Sequence, residues 1–331
     1  MIRLVITQGD PAGIGPELLL RTADAGLLRE HDTVVACHAQ LRELAAALGT
    51  SWARTGLARL EPLLDPLGSR PGARLGQFAA LERGVDLVLA KSDDDDDGGR
   101  ARRPALVTAP IDKAIASTEG LRHPGHTEYL AERAGTGEFA MLMAGSTIKV
   151  VLATIHLPLR DVAARLDAAA VIRAASLLAR ALTQDFAVAQ PRVGVLGLNP
   201  HAGERGLLGD EEQRVITPAI EALREWASGA GIPASFVGPL PADTAFHQHQ
   251  VGQLDGLVAM YHDQGLGPFK LAHFHDGVNV TLGLPFVRTS PDHGTAKDIA
   301  GRGVANFTSM AAAIELARAM ASGREGSRAG S

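Results

Sequence analysis

Apolar residues along this chain fall into two alternating textures. Short, nearly continuous runs recur as RLVIT, TVVACH, PALVTA, FAMLMA, KVVLAT, RVGVLGL, SFVGPL, GLVAMYH and VNVTLGL. Between them lie longer stretches in which apolar positions repeat every three or four residues: AQLRELAAALG, FAALERGVDLVLAK, DVAARLDAAAVIRAASLLARALTQ and EEQRVITPAIEALREWASG. The first texture predicts strands buried on both faces, and the second predicts amphipathic helices. Their alternation predicts an α/β fold with a mostly parallel sheet covered by helices. The longest apolar region, FAMLMAGSTIKVVLATIHLPL, is interrupted by Gly145, Lys149 and His156. It therefore reads as two buried strands and a turn, not as a membrane span.

Composition narrows this further. With 331 residues and 46% hydrophobic content, the chain can bury a core sufficient for two domains or one large one. Lys and Arg number 32 against 37 Asp and Glu, a formal charge of −5, and no basic stripe is interleaved with aromatics, which argues against nucleic acid. Cys37 is the only cysteine, so an internal disulfide and a multi-cysteine metal site are excluded. That usage fits a reducing compartment. The opening MIRLVITQGD has too short an apolar stretch for a signal-peptide core, and the expected location is cytoplasmic. The stretch SDDDDDGGRARRP, residues 92–104, reads as a flexible acidic loop without the ligand spacing of a calcium loop. The final SGREGSRAGS reads as disordered on composition.

Candidate chemistry begins with GDPAGIGPE, residues 9–17, between a strand and a helix start. Its glycines do not make G-x-G-x-x-G and no Lys-Ser or Lys-Thr pair follows, so neither a dinucleotide fingerprint nor a P-loop is present. A βα turn with Pro16 at the first helical position and an anion cradle both remain open. The histidines are more telling. His156, His201 and His262 each follow an apolar run, and ligands of open α/β sheets gather beyond the carboxyl ends of strands. Three neutral imidazoles there suit zinc or a similar divalent ion with an open position.

Anion-binding groups follow. HPGHTEYL places His126 and Thr127 at a helix start, and Lys270, Asn279 and Arg288 lie in Gly/Pro-rich stretches near strand ends. Together they suit a small phosphorylated or carboxylated substrate. The stretch TSPDHGTAKDIAGRGVANFTSM, residues 289–310, is too long and glycine-rich for a strand or helix and offers His293, Asp298 and Asn306. Nucleotide binding and a structural loop are evenly matched for it. His273 and His275 read as surface residues.

Long motifs in order make the chain resemble the 4-hydroxythreonine-4-phosphate dehydrogenase family: ITQGDPAGIGPE, TAPIDKAIA, HPGHTEYLAE, GLNPHAGERGLLGDEE, GPLPADTAF, MYHDQGLGPFK, GVNVTLGLPFVRTSPDHGTA and DIAGRGVAN. The resemblance covers nearly the whole chain. It implies two α/β/α domains with a cleft between them, like isocitrate and isopropylmalate dehydrogenases and unlike a GxGxxG Rossmann fold. On that basis, residues 1–135 with 265–331 form a discontinuous cofactor-side domain, and 136–264 carry metal ligands and dimer contacts.

By the same resemblance, His156, His201 and His262 are metal ligands for zinc, magnesium or cobalt. His126, Thr127, Lys270, Asn279 and Arg288 contact the substrate, and His293, Asp298 and Asn306 contact NAD or NADP by weaker analogy. Asp243 and Asp263 are candidates for proton handling or for orienting the ligands. The implied reaction is oxidation of 4-phosphooxy-L-threonine to 2-amino-3-oxo-4-phosphooxybutanoate, which decarboxylates to 3-amino-2-oxopropyl phosphate on the way to pyridoxal phosphate. The implied assembly is a homodimer with its active site at the interface and ligands from both chains. Three alternatives compete: a dehydrogenase of threonate or erythronate 4-phosphate or of an aromatic dihydrodiol; a metal-free phosphate acyltransferase; and a binding protein without catalysis.

Overall fold

The chain opens with β1 (Leu4–Thr7), α1 (Gly15–Asp24), β2 (Thr33–Val35), α2 (His38–Leu48), α3 (Ser51–Leu60), α4 (Gln77–Leu89), β3 (Ala105–Thr108), α5 (Lys113–Thr118) and α6 (His126–Ala134). It continues with β4 (Ala140–Ala144), β5 (Lys149–Leu152), α7 (Leu159–Arg165), α8 (Ala168–Gln184), β6 (Arg192–Leu196), α9 (Thr217–Gly229) and β7 (Ser235–Leu240). The last elements are α10 (Ala242–Gln250), β8 (Gly256–Ala259), α11 (His262–His273), β9 (Val278–Leu282), β10 (Arg288–Pro291) and α12 (Thr308–Ala329). This computed structural model describes residues 2–69, 74–90, 103–123 and 125–329. Residues 92–102 of the expected acidic loop lie outside the described residues.

Two compact units result. The first comprises residues 1–137 and 284–321, the second 138–283 and 322–331. In the first, the strand order β2-β1-β3-β10 is parallel throughout. Helix α4 lies against β1, β2 and β3, and Leu4, Val5, Ile6, Leu106 and Val107 are fully buried. In the second, the order is β9-β4-β5-β8-β6-β7, with β4 antiparallel to both neighbours and β5-β8-β6-β7 parallel. Its core gathers Met143, Val150, Leu196, Leu257, Ala259 and Phe269, each large apolar side chain contributing about 1.5–3 kcal/mol on burial.

Several expectations change. Residues 265–283 group with the second unit: α11 packs on β5 and β8, Phe269 is buried there, and β9 pairs along the length of β4. The run expected as one long helix splits into α7 and α8, because the Asp167 side chain caps α8 by accepting the Ala170 N–H at 2.7 Å. The stretch 289–310 does contain a strand, β10, whose residues RTSP are all buried. The tail expected to be disordered continues α12 to Ala329, held by a bidentate contact of Arg324 to Asp185 at 2.7 and 2.6 Å. His273 is 3% exposed: it bonds Thr147 Oγ1 at 2.9 Å and Asp276 at 3.2 Å, so it is an internal tie between α11 and the β4–β5 turn. His275 is exposed.

Candidate active site

The second unit presents its histidines past the carboxyl ends of β5, β8 and β6, which are adjacent in that order. His156 and His262 come together, their ring centroids 5.8 Å apart. They line a cavity of about 190 Å³ with Thr154, Leu157, Leu159, Val162, Tyr261 and Asp263. His262 donates from Nδ1 to Asp263 Oδ1 at 2.7 Å, which fixes the tautomer and leaves Nε2 as a lone-pair donor, the usual preparation of a metal-binding imidazole. Two imidazoles on one small cavity fit a borderline-soft divalent ion. Among the described residues no three His, Cys, Asp or Glu side chains meet as a cluster, so His201 does not join this pair.

Backbone conformation sets these histidines apart. His156 has φ 52°, and His201 begins five successive residues, through Arg205, with φ between 42° and 77°. Only Gly203 among those five is a glycine. Left-handed backbone costs roughly 1–2 kcal/mol per non-glycine residue. Such strain persists where the surroundings over-determine it, and it clusters at functional sites.

The first unit builds its charged group differently. Arg288, the first residue of β10, is 3% exposed. Its Nη2 donates to Thr108 Oγ1 at 2.7 Å and to His126 Nδ1 at 3.2 Å. Burial pulls the guanidinium down to about 10, which leaves it charged at neutral pH. His126 opens α6, and its pKa falls well below the ordinary 6.5 through burial, then through the charges of Arg288 and Lys113. The ring is therefore neutral; with Nδ1 accepting from Arg288, its proton sits on Nε2. That Nε2 is shielded from solvent and has no hydrogen-bond partner among the described residues. A buried cation, a spare N–H and the helix start with Thr127 are groups that could hold an anion.

Of the other expected contacts, Lys270 is half-buried on α11 with Nζ 5.7 Å from the Phe274 ring centroid. Asn279 on β9 has a buried Oδ1 without a partner among the described residues. Both belong to the second unit. His293 turns Nδ1 to the Gly294 carbonyl at 3.0 Å and keeps a buried Nε2 without a partner among the described residues. Asn306 instead accepts the Thr308 N–H at 2.9 Å, an Asx turn leading into α12. Asp298 and Asp243 are exposed; Asp243 lies in the first turn of α10 and does not line the histidine cavity.

The GDPAGIGPE loop resolves as a braced turn. Glu17 in the first turn of α1 is buried and accepts the N–H groups of Gly303 and Ala305 at 3.2 and 2.9 Å. This carboxylate already satisfies backbone donors near the start of α1, which disfavours a phosphate there. Ile14 N–H donates to Thr295 at 2.9 Å. A Cβ on Gly13 would stand 2.7 Å from that same carbonyl oxygen, so only glycine permits the approach. Lys297 closes the arrangement by pairing with buried Asp10 at 3.1 Å and with Asp112. Lys297, Thr108, Tyr261 and Lys113 are not among the candidates read from sequence; all four lie inside quoted stretches, but nothing local in those stretches marks them out.

A family model described as pyridoxal phosphate biosynthetic protein PdxA matches residues 85–317. A 4-hydroxythreonine-4-phosphate dehydrogenase from Chromobacterium violaceum is 44% identical over 326 residues, covering 96% of each chain. One from Desulfosudis oleivorans is 42% identical over 333 residues, covering 94% of each. The crystal structure of 4-hydroxythreonine-4-phosphate dehydrogenase from Klebsiella pneumoniae superposes with a TM-score of 0.80 at 37% identity, covering 97% of this chain and 98% of that one.

Proposed function

The chain belongs to the family of the pyridoxal phosphate biosynthetic protein PdxA, and from that premise we propose that it oxidises 4-phosphooxy-L-threonine with NAD or NADP and a divalent metal. Oxidation at C3 gives 2-amino-3-oxo-4-phosphooxybutanoate, a β-keto acid that loses carbon dioxide to give 3-amino-2-oxopropyl phosphate. The observation that carries the phosphate preference is buried Arg288 beside neutral His126 at the start of α6.

In this reading Arg288, His126 and Thr127 hold phosphate oxygens, and Lys270 and Asn279 supply a further cation and amide. His156, His201 and His262 would hold zinc, magnesium or cobalt, which supplies Lewis acidity toward the C3 oxygen. Asp263 keeps the His262 tautomer fixed. Asp243, exposed in the first turn of α10, is the candidate proton carrier of this reading. The nicotinamide would supply the hydride acceptor, with His293, Asp298 and Asn306 as its contacts; of these, His293 has a nitrogen without a partner among the described residues.

The working unit in this reading is a homodimer whose partner completes the metal site. Support comes from exposed apolar side chains on the histidine-bearing elements: Leu207 at 81%, Leu271 at 90%, and Leu159 and Phe274. A partner covering these side chains would remove their apolar surface from water. No helix among the described residues is long and apolar enough to cross a membrane, and a cytoplasmic location completes the proposal.

The test is a substrate panel read by nicotinamide absorbance with divalent metal present. Turnover of 4-phosphooxy-L-threonine is expected. Turnover of threonate or erythronate 4-phosphate, or of an aromatic dihydrodiol, without it would overturn the substrate assignment.

A further inference from the structure

The loop that carries His201 is built around a buried carboxylate that none of these roles uses. Glu212 is 3% exposed and opens a π-helical turn, Glu212–Ile216, ahead of α9. Its Oε1 accepts the backbone N–H groups of Leu198 and Asn199 at 2.8 and 2.7 Å, and its Oε2 accepts the Asn199 side-chain amide at 2.9 Å. The loop is shaped to this carboxylate. A Cβ on Gly203 would lie 2.6 Å from Oε2, and one on Gly197 would lie 3.1 Å from Oε1. Leu198 and Asn199 immediately precede Pro200 and His201, where the left-handed turn begins.

A strained turn survives only if its surroundings leave it no cheaper conformation. Glu212 does this from one side, because charge-assisted bonds fix the two residues that lead into the turn and its carboxylate underlies Gly203 within the turn. π-Helical turns inside helices recur at functional sites for the same reason: they re-aim one side chain. The structure assigns Glu212 the role of a positioning residue, holding the NPHAGER turn so that the His201 imidazole is presented as a metal donor. This rests on the reading of His201 as a ligand. The chemistry favours a carboxylate, since all three donors are N–H groups. Glutamine offers one oxygen and would turn an N–H toward the Asn199 amide.

The experiment uses the full-length protein and cobalt(II) alone, followed by its visible absorption and by calorimetry, with wild type, His201→Ala and Glu212→Gln. Glu212→Gln should bind cobalt(II) about 10- to 100-fold more weakly, the usual effect of losing a group that orients a ligand. Its Leu198 and Asn199 amides should exchange hydrogen faster, while inorganic phosphate binding stays unchanged. Wild-type cobalt affinity and spectrum in Glu212→Gln would overturn the assignment. If that variant does not fold by circular dichroism, Asn199→Ala decides with Glu211→Gln as its control, because it removes the Oε2 contact together with the Asn199 bond to Glu211 at 2.7 Å: cobalt binding weaker than in the control supports the role, and binding equal to the control overturns it. If wild type binds no cobalt(II), or His201→Ala has no effect, the ligand reading itself fails and this inference with it.

Discussion

The two units offer reactive groups by opposite means. The first places Arg288 on a strand and His126 at a helix start, within regular structure, and burial keeps the His126 ring neutral beside the guanidinium. The second carries His156 and His201 on left-handed turns past strand ends and leaves them partly open to solvent. Removing a group from the first should therefore damage fold and function together. In the second, fold and function should separate, because the strained backbone exists for the site.

Arg288→Ala tests the first half with the largest expected effect. It removes one partner of a buried, hydrogen-bonded set and leaves Thr108 and His126 unpaired. Truncating such a charge typically costs about 2–5 kcal/mol, or about 30- to 5000-fold. Both kcat/KM for the phosphorylated substrate and the urea midpoint should fall. A variant that lost activity at wild-type stability would show that Arg288 is not built into the fold as described.

The pH dependence of stability tests the same buried pair. The folded-state pKa of His126 lies below its ordinary 6.5, so below pH 6.5 the unfolded chain takes up a proton that the folded chain refuses. Stability contributed by this site is fully present above 6.5 and is lost as pH falls from there toward the folded pKa. Urea unfolding at pH 7.5 and 5.5 should show a smaller loss in His126→Gln than in wild type. Equal losses would mean that the ring is not held neutral.

His156 tests the second half. At φ 52°, glycine should be more stable than alanine by about 1 kcal/mol, reversing the order expected in ordinary backbone. His156→Gly should thus equal or exceed His156→Ala in thermal midpoint while both lose cobalt(II) binding. Alanine matching or exceeding glycine would remove the claim that this turn is strained.

The same contrast explains what could be read from sequence. The apolar runs became strands because a buried strand needs little beyond apolar residues. By contrast, β10 was missed because RTSP is polar, and its burial depends on Thr108, His126 and α12, all distant in the chain. Pro16 correctly marked the start of α1. The long helical pattern hid Asp167, whose capping role competes with helix continuation only in the folded context. His126 and Arg288 were legible as candidates, but the neutral state of His126 comes first from its burial in the folded chain and then from the charges of Arg288, 162 residues away, and Lys113. The left-handed run at His201–Arg205 left almost no trace, since Gly203 alone among those residues signals positive φ.

Asn306 gives the smallest and most discriminating effect, because here a regular structural role and a cofactor role predict different readouts. Its Oδ1 accepts the Thr308 N–H at 2.9 Å at the start of α12, the kind of contact whose loss costs about 0.5–2 kcal/mol. Asn306→Ala removes the acceptor, whereas Asn306→Asp retains it beside the positive end of the helix. If Asn306 is chiefly a turn residue, alanine lowers the thermal midpoint slightly, aspartate does not, and neither alters KM for the nicotinamide cofactor. If it touches the cofactor, both variants raise KM, aspartate more so because it brings a negative charge toward a phosphate-bearing ligand. The first outcome aligns this loop with the first unit's pattern of groups satisfied within regular structure; the second would give that unit an open ligand-binding loop of its own and narrow the difference between the two.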